Sequence, residues 1–494
     1  MDKIKIFFQT KPVFLYLLPV FFVLHGYTDH YALVPVKDAL LLNVTYLAIS
    51  LLFSLLFWLL YKKFHKANLV AFSIMAYNFF FGSMQDFLKL NFNNTFIIRY
   101  SFIIPASVII LLIFIIYIKN SKKTFTRTTK YLNVLFLLLI LLDTGNLLLK
   151  LTKKEIPRAV AFPAESIRCD SCKKPDIYLI IADEYAGKNE LKDIFSFDNT
   201  GFETDLIKRG FHVVNNTKSN YNRTLYSMAS LLNMNYIENL KSIGVNNTDM
   251  YLCTDLIKKN NLNEFLKEKD YKVYNFSPFD FTGSPKPVKL FFFPDRKALI
   301  TSQTFTNRFW KNLWFHFSSQ NKIEEIINRN LDNNLKIDSL TRHIVVKKED
   351  NPKFTYSHLI MPHYTYYFDS VGKKNTDEKL LDENKLNKKD YISYLKYTNK
   401  KLLELIDYIK VNTEQPPLII LMSDHGFRQF EEDERVDNKY HFMNLNAVFI
   451  PNGNYSGFYD GMSNVNQFRV ILNSQFGQKL PLLKDSTSFL GEEN

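Results

Sequence analysis

Four long apolar stretches near the start of the chain, roughly 40–61, 67–88, 97–118 and 131–151, constrain its fold more than any other feature. A helix needs about 20 mainly apolar residues to cross a bilayer, where its backbone must satisfy its own hydrogen bonds. Each stretch has that length. A fifth run near 12–29, containing FLYLLPVFFVLHGY, is shorter and interrupted by Pro19. It is counted with the others because the charges around it agree. Lys3, Lys5 and Lys11 precede it; Lys62, Lys63 and Lys66 join the second and third spans; Lys119, Lys122, Lys123, Arg127 and Lys130 join the fourth and fifth. The opposite loops hold only Lys37, then Lys89 and Arg99. Such asymmetry is expected of a cytoplasmic amino terminus, and five crossings then put everything after about residue 152 outside. No small-residue cleavage site follows the first run, which argues against an excised signal peptide.

A net charge of +13 would suggest a nucleic-acid partner on a soluble chain. Much of it lies in these short loops, where it orients spans, so no nucleic-acid partner is expected. Three cysteines are too few for a disulfide scaffold. Cys169 and Cys172 form a lone C-x-x-C without a second ligand pair, and no catalytic role is assigned to them or to Cys253.

The expected organisation is a transmembrane helical domain over 1–151, a linker over 152–175 with Pro157, Pro163 and Pro175, and a catalytic domain over 176–494. The last part alternates strand-like and helical patterns. DIYLIIA (176–182) is a short continuous apolar run, as in a strand buried on both faces. FHVVNN (211–216), KVYNFSP (272–278), KFTYSHLIM (353–361) and PLIILMS (417–423) are strand-like, and helical patterns cover 198–209 and 389–411. Alternation of this kind predicts an α/β domain with a largely parallel sheet, whose ligands sit at the carboxyl ends of the strands.

The residues at those ends carry the chemistry. The first strand runs into Asp183-Glu184-Tyr185, the last into Asp424-His425-Gly426, and KFTYSHLIM into Pro362-His363. Acids and imidazoles delivered to one sheet edge are what zinc or manganese requires. Singly, each has a bland reading as a helix cap or structural histidine. The stretch SNYNRTLYSMASLLNMNY (219–236) reads as a loop entering a packed helix, with Thr224 near its amino terminus. Backbone N–H groups there favour a phosphate, although Thr224 could equally be a helix cap.

In order, D-E-Y after a strand, S-N-Y-x-x-T-x-x-S-x-A-S-x-L-N-M, H-x-x-x-x-H and S-D-H-G resemble the alkaline phosphatase/sulfatase superfamily, and most of all its membrane-bound branch. Lipoteichoic acid synthases and phosphoethanolamine transferases belong to that branch. The resemblance implies an α/β, alkaline phosphatase-like domain with a largely parallel central sheet, preceded by an all-α membrane domain of about five transmembrane helices. It spans roughly 175–455; residues 237–350 carry no motif that can be named and would shape the substrate pocket.

By that resemblance Asp183, Asp424 and His425 hold a divalent metal ion, zinc or manganese before calcium, and Thr224 is the metal-bound nucleophile. Glu184 takes the second acidic place of the pair as a further ligand. His363 takes the place of a histidine that binds substrate phosphate or a second metal, with His358 and His441 as further substrate-binding candidates. Tyr366 and Tyr367 either line the pocket or pack. Sulfatases use Cys or Ser in C/S-x-P-x-R; here the place reads Thr224-Leu225-Tyr226-Ser227-Met228, without Pro or Arg, which argues against sulfate esters. The expected activity is transfer of a phospholipid head group, phosphoethanolamine or phosphoglycerol, to an envelope glycan or lipid through a phospho-threonine. The alternative is a phosphodiesterase or phosphomonoesterase using water; an inactive binding or scaffold protein is a third reading that the four site residues disfavour. The expected location is the bacterial inner membrane with a periplasmic catalytic domain.

Overall fold

The computed structural model describes residues 11–31, 33–92, 95–152, 174–238, 240, 247–288, 296–313, 320–376, 379–380, 387–430 and 436–491. Cys169 and Cys172 lie outside them. The chain forms two compact units, Met1–Ile156 with Phe293–Ser319, and Pro157–Phe292 with Gln320–Asn494.

The first unit is helical: α1 (Phe14–Asp29), α2 (Val36–Tyr61), α3 (Phe64–Asn91), α4 (Tyr100–Asn120) and α5 (Thr126–Thr152). Among the described residues, α2 to α5 are long and apolar enough to cross a membrane, while α1 is apolar but only 16 residues long. α1 lies parallel to α5. The Phe14 amide donates to Asn133 Oδ1 at 2.7 Å, His25 meets Asp143 at 3.2 Å, and the Tyr31 hydroxyl donates to the Lys150 carbonyl at 3.3 Å. Four successive reversals of direction require that pairing. The basic α2–α3 and α4–α5 junctions share one end, because buried Lys66 donates to the Lys119 carbonyl at 3.0 Å, where a cation suits a helix carboxyl terminus.

Residues Phe293–Ser319, inside the stretch expected to be catalytic, group with these helices. Arg308 forks onto Asp86 of α3 at 2.6 and 2.7 Å, and the Gly82 amide donates to the Gln303 carbonyl at 2.7 Å. A side chain at Gly82 would meet Gln303 Cα at 2.7 Å, so only glycine admits this approach.

The second unit is built on a six-stranded sheet of order β2-β6-β5-β1-β4-β3. Its strands are β1 (Ile177–Ala182), β2 (His212–Val213), β3 (Lys272–Phe276), β4 (Lys353–Leu359), β5 (Leu418–Met422) and β6 (Asn446–Phe449). β1 lies between β4 and β5 and is parallel to both, whereas β6 runs against β5 and β2. All residues of β1, β4 and β5 are buried, which is why β1 and β5 read as unbroken apolar runs; β4 buries Lys353, Thr355, Ser357 and His358 among its apolar residues. The sheet is thus mostly parallel, as expected, with one reversed strand, β6, that the sequence reading did not contain.

Four helices matter for the site: α6 (Thr224–Asn233), α7 (Gln320–Val346), α8 (Lys388–Asn412) and α9 (Asn464–Phe476). α8 starts where the Asn387 side chain accepts from the Asp390 amide. It buries Tyr391, Tyr394, Leu395, Leu402, Leu405, Ile406 and Ile409, one stripe at helical spacing, in the core that holds Tyr178, Ile180 and Ala182 of β1. α7, from the stretch without a named motif, packs on β4: Asn334 donates to the Ile360 carbonyl at 2.9 Å, and Thr341 and Ser357 hydroxyls lie 2.7 Å apart. Tyr366 and Tyr367 are buried among the rings of Tyr391 and Tyr394, so packing is their role.

Candidate metal centre and nucleophile

Adjacent parallel strands end side by side, about 4.8 Å apart, so the order β5-β1-β4 brings Asp424, Asp183 and His358 together. All three are fully buried. One oxygen of each carboxylate and a nitrogen of His358 lie within 4.8 Å of one another. Asp183 Oδ2, Asp424 Oδ2 and His358 Nε2 have no hydrogen bond.

Thr224 is the first residue of α6 and enters this cluster from the side. Its Oγ1 is 3.1 Å from His425 Nε2 and 3.5 Å from Asp183 Oδ1, while His425 Nε2 is 3.2 Å from Asp424 Oδ2. Donors bound at 2.0–2.2 Å to one tetrahedral ion sit about 3.3–3.6 Å apart. The three separations of 3.1, 3.5 and 3.2 Å lie close to that spacing.

Neighbouring groups aim these atoms. His425 Nδ1 donates to the Gly426 carbonyl at 2.7 Å, leaving the Nε2 lone pair toward Thr224 and Asp424. The Glu184 amide donates to Asp424 Oδ1 at 3.0 Å, which leaves Oδ2 for the centre. Tyr356 holds His358 Nδ1 at 2.8 Å, and His358 Nε2 is 3.6 Å from Asp183 Oδ2. Ser227, one turn after Thr224, donates to the Asp424 carbonyl at 2.6 Å, and Asn464 of α9 donates to the same carbonyl at 3.2 Å. Ser227, Asn464 and Tyr356 were not singled out in the sequence. Only the T-x-x-S spacing hinted at the first.

Glu184 itself sits in the left-handed region at φ 60. It is held there by the Tyr391 hydroxyl on its carbonyl at 2.9 Å and by the Arg428 amide on Oε1 at 2.9 Å. Its other oxygen faces His363 Nε2 at 3.5 Å rather than the three-residue cluster. His363 is half-buried at the margin. His441 lies beyond His425, and burial, with the charges of His425, Arg223 and Arg428, pushes its pKa down to about 4, so it is neutral at pH 7. Every residue singled out from the sequence thus lies in or beside one neighbourhood, with His358 deeper than expected and Glu184 turned toward His363.

Electrostatics favours a cation. Burial pushes the Asp183 carboxyl up, but the imidazoles of His363, His358 and His425 outweigh it and hold the group below the usual range. Burial and the Asp183 charge push Asp424 up. Two buried carboxylates in contact do not both ionise without a positive charge between them. Three orphaned donor atoms, all nitrogen or carboxylate oxygen, are a donor set that a divalent ion satisfies.

A family model for sulfatases matches residues 175–468. The chain belongs to the sulfatase family. It is accordingly a sulfatase-like enzyme acting on ester groups, in line with the alkaline phosphatase/sulfatase resemblance. No curated protein matches the chain. Among solved structures, the C-terminal periplasmic domain of EptC from Escherichia coli in complex with zinc is 15% identical, with a TM-score of 0.42 over 67% of this chain and 94% of that one. The corresponding domain of the phosphoethanolamine transferase EptC from Campylobacter jejuni is 16% identical, with a TM-score of 0.34 over 65% and 95%. A putative sulfatase from Bacteroides thetaiotaomicron is 10% identical, with a TM-score of 0.38 over 64% and 74%. Within the family's plan the glycine of S-D-H-G has a physical reason here. A side chain at Gly426 would meet the Met443 carbonyl oxygen at 2.6 Å and Glu190 Oε2 at 2.8 Å.

Proposed function

We propose that this sulfatase-family enzyme transfers a phospholipid head group, phosphoethanolamine or phosphoglycerol, to an envelope glycan or lipid. Thr224 is its nucleophile. One observation carries the reading: the Thr224 hydroxyl stands 3.1 Å from His425 and 3.5 Å from Asp183 beside the orphaned donor atoms. Asp183, Asp424, His425 and Thr224 would hold the divalent ion, with His358 as a further nitrogen donor behind Asp183. When bound, that ion supplies Lewis-acid charge that lowers the hydroxyl pKa of Thr224 and offsets negative charge on the phosphoryl group.

Thr224 oxygen bonds to phosphorus while the bond from phosphorus to the diacylglycerol oxygen breaks, and diacylglycerol leaves with the proton. The acceptor hydroxyl then attacks the same phosphorus, and the Thr224 oxygen departs reprotonated. His363, with Nε2 near Glu184, is positioned to donate to a phosphoryl oxygen. Neutral His441 adds a second polar contact without adding charge. Fixed groups of this kind work by positioning and by electrostatic stabilisation. Apolar helices α2 to α5 agree with an enzyme that meets its donor at the bilayer. The location that fits is the bacterial inner membrane, with the amino terminus inside and the catalytic unit in the periplasm.

Mass spectrometry of the Thr224 peptide tests this, after the full chain is incubated with mixed phospholipids and a divalent metal. A head-group phosphate adduct is expected in wild type and absent in Thr224→Ala. Hydrolysis of simple phosphate esters with no adduct from any lipid would replace transfer by a water-using phosphodiesterase or phosphomonoesterase.

A further inference from the structure

Within the helical unit, one cluster of charged side chains has no part in the site above. Asp143 belongs to the apolar helix α5, and its side chain is 10% exposed. Its Oδ1 lies 3.2 Å from His25 Nδ1 of α1, and its Oδ2 is buried without a hydrogen bond. His25 Nε2 lies 3.9 Å from Asp29 Oδ2. Lys150 pairs with Asp29 at 3.4 Å and donates to the Thr28 carbonyl at 2.9 Å. The lysine is thus committed to the outer acid, and the inner acid has only an imidazole beside it.

A carboxylate within a spanning helix is costly unless it faces a partner or a wet cleft. Asp143 has one acceptor oxygen unmet. The side chains of His25 and Asp29, 56% and 54% exposed, open the seam to the side. His25 is four residues, about 6 Å, from the carboxyl end of α1, which is close to headgroup level. An ammonium brings three N–H donors and one positive charge. It matches the unmet acceptor, whereas an anionic head group would bring only further acceptor oxygens.

We propose that the α1–α5 seam binds the ammonium of a phosphoethanolamine-type lipid, with Asp143 as its main acceptor. This assigns the membrane unit a role in selecting the donor, and it rests on the reading that the donor is a phospholipid. The full chain is reconstituted into phosphatidylcholine nanodiscs holding equal fractions of phosphatidylethanolamine and phosphatidylglycerol, and the lipids retained after stringent washing are quantified. A charge-assisted contact predicts roughly tenfold or greater enrichment of phosphatidylethanolamine. Enrichment is expected in wild type and in Thr224→Ala, to fall to parity in Asp143→Asn, and to weaken in His25→Gln. Should Asp143→Asn misfold, Asp29→Asn and His25→Gln carry the test, since their side chains are half exposed. Unchanged enrichment in folded variants, or enrichment of phosphatidylglycerol, would overturn the proposal. Enrichment that depends on Asp143, with no Thr224 adduct from any lipid, would leave this site standing and remove the transfer reading instead.

Discussion

At the level of single residues, the centre depends on atoms that cannot shift. Gly426 sits against two backbone carbonyls, those of Tyr440 and Met443, and against the Glu190 carboxyl. Backbone carbonyls do not move aside as a flexible side chain does, so Gly426→Ala is expected to destabilise the second unit by about 1–3 kcal/mol. It should also misplace His425. Thermal unfolding and metal content of the variant check both effects. Asp424→Asn is expected to behave differently. It keeps the shape and the contact with the Glu184 amide but loses the charge that Oδ2 offers to a cation. Its folding should survive while stoichiometric metal, measured by elemental analysis after gentle purification, is lost.

At the level of elements, β3 is fastened to the segment entering β4 by one part-buried acid. Glu349 accepts from Lys272 at 2.8 Å and from Tyr274 at 2.5 Å, and pairs with Lys347 at 2.7 Å. Hydrogen bonds from Lys272, Lys347 and Tyr274 hold its carboxyl down to about 2. A depressed folded pKa adds stability above the unfolded value, about 4.3, and that contribution disappears as pH falls through the folded value. Glu349→Gln is therefore expected to be less stable than wild type at pH 7, with the gap closing between about pH 4 and 2 in unfolding midpoints. High salt should narrow it too, because the ammonium groups of Lys272 and Lys347 belong to exposed side chains. A second fastening lies at the carboxyl end: Asn220 donates to the Ser486 carbonyl at 2.9 Å, and Asn222 exchanges hydrogen bonds with Leu490 at 2.9 and 3.2 Å. The asparagines of the S-N-Y-N-R-T stretch thus position the loop that presents Thr224, a structural task beside the proposed nucleophile.

At the level of the whole molecule, a bound cation couples the centre to folding, because it binds the assembled donors and not the unfolded chain. Chelation is expected to lower the unfolding temperature of wild type and to leave that of Asp424→Asn unchanged. At a free metal concentration of 100 times Kd the difference corresponds to about 2.7 kcal/mol.

The spans were legible because a bilayer imposes length and apolarity together, and β1 and β5 because burial on both faces leaves an unbroken apolar run. β6 escaped notice because four residues, NAVF, carry too little pattern. Asp183, Thr224 and the pair Asp424-His425 stood out through their motifs and their places at element ends. His358 looked secondary because a histidine inside a strand has no local mark of function. Its neighbourhood with Asp183 arises only when β4 lies beside β1, an arrangement between segments 175 residues apart. The docking of residues 296–312 on α3 is of the same kind, since Gly82, Asp86 and Arg308 say nothing of each other until packed. Local chemistry, meaning apolar length, strand and helix period and the residues at element ends, was determined by the sequence alone. Which side chains share a centre was decided by tertiary structure, because strand order and helix docking are set by long-range burial that no local pattern encodes.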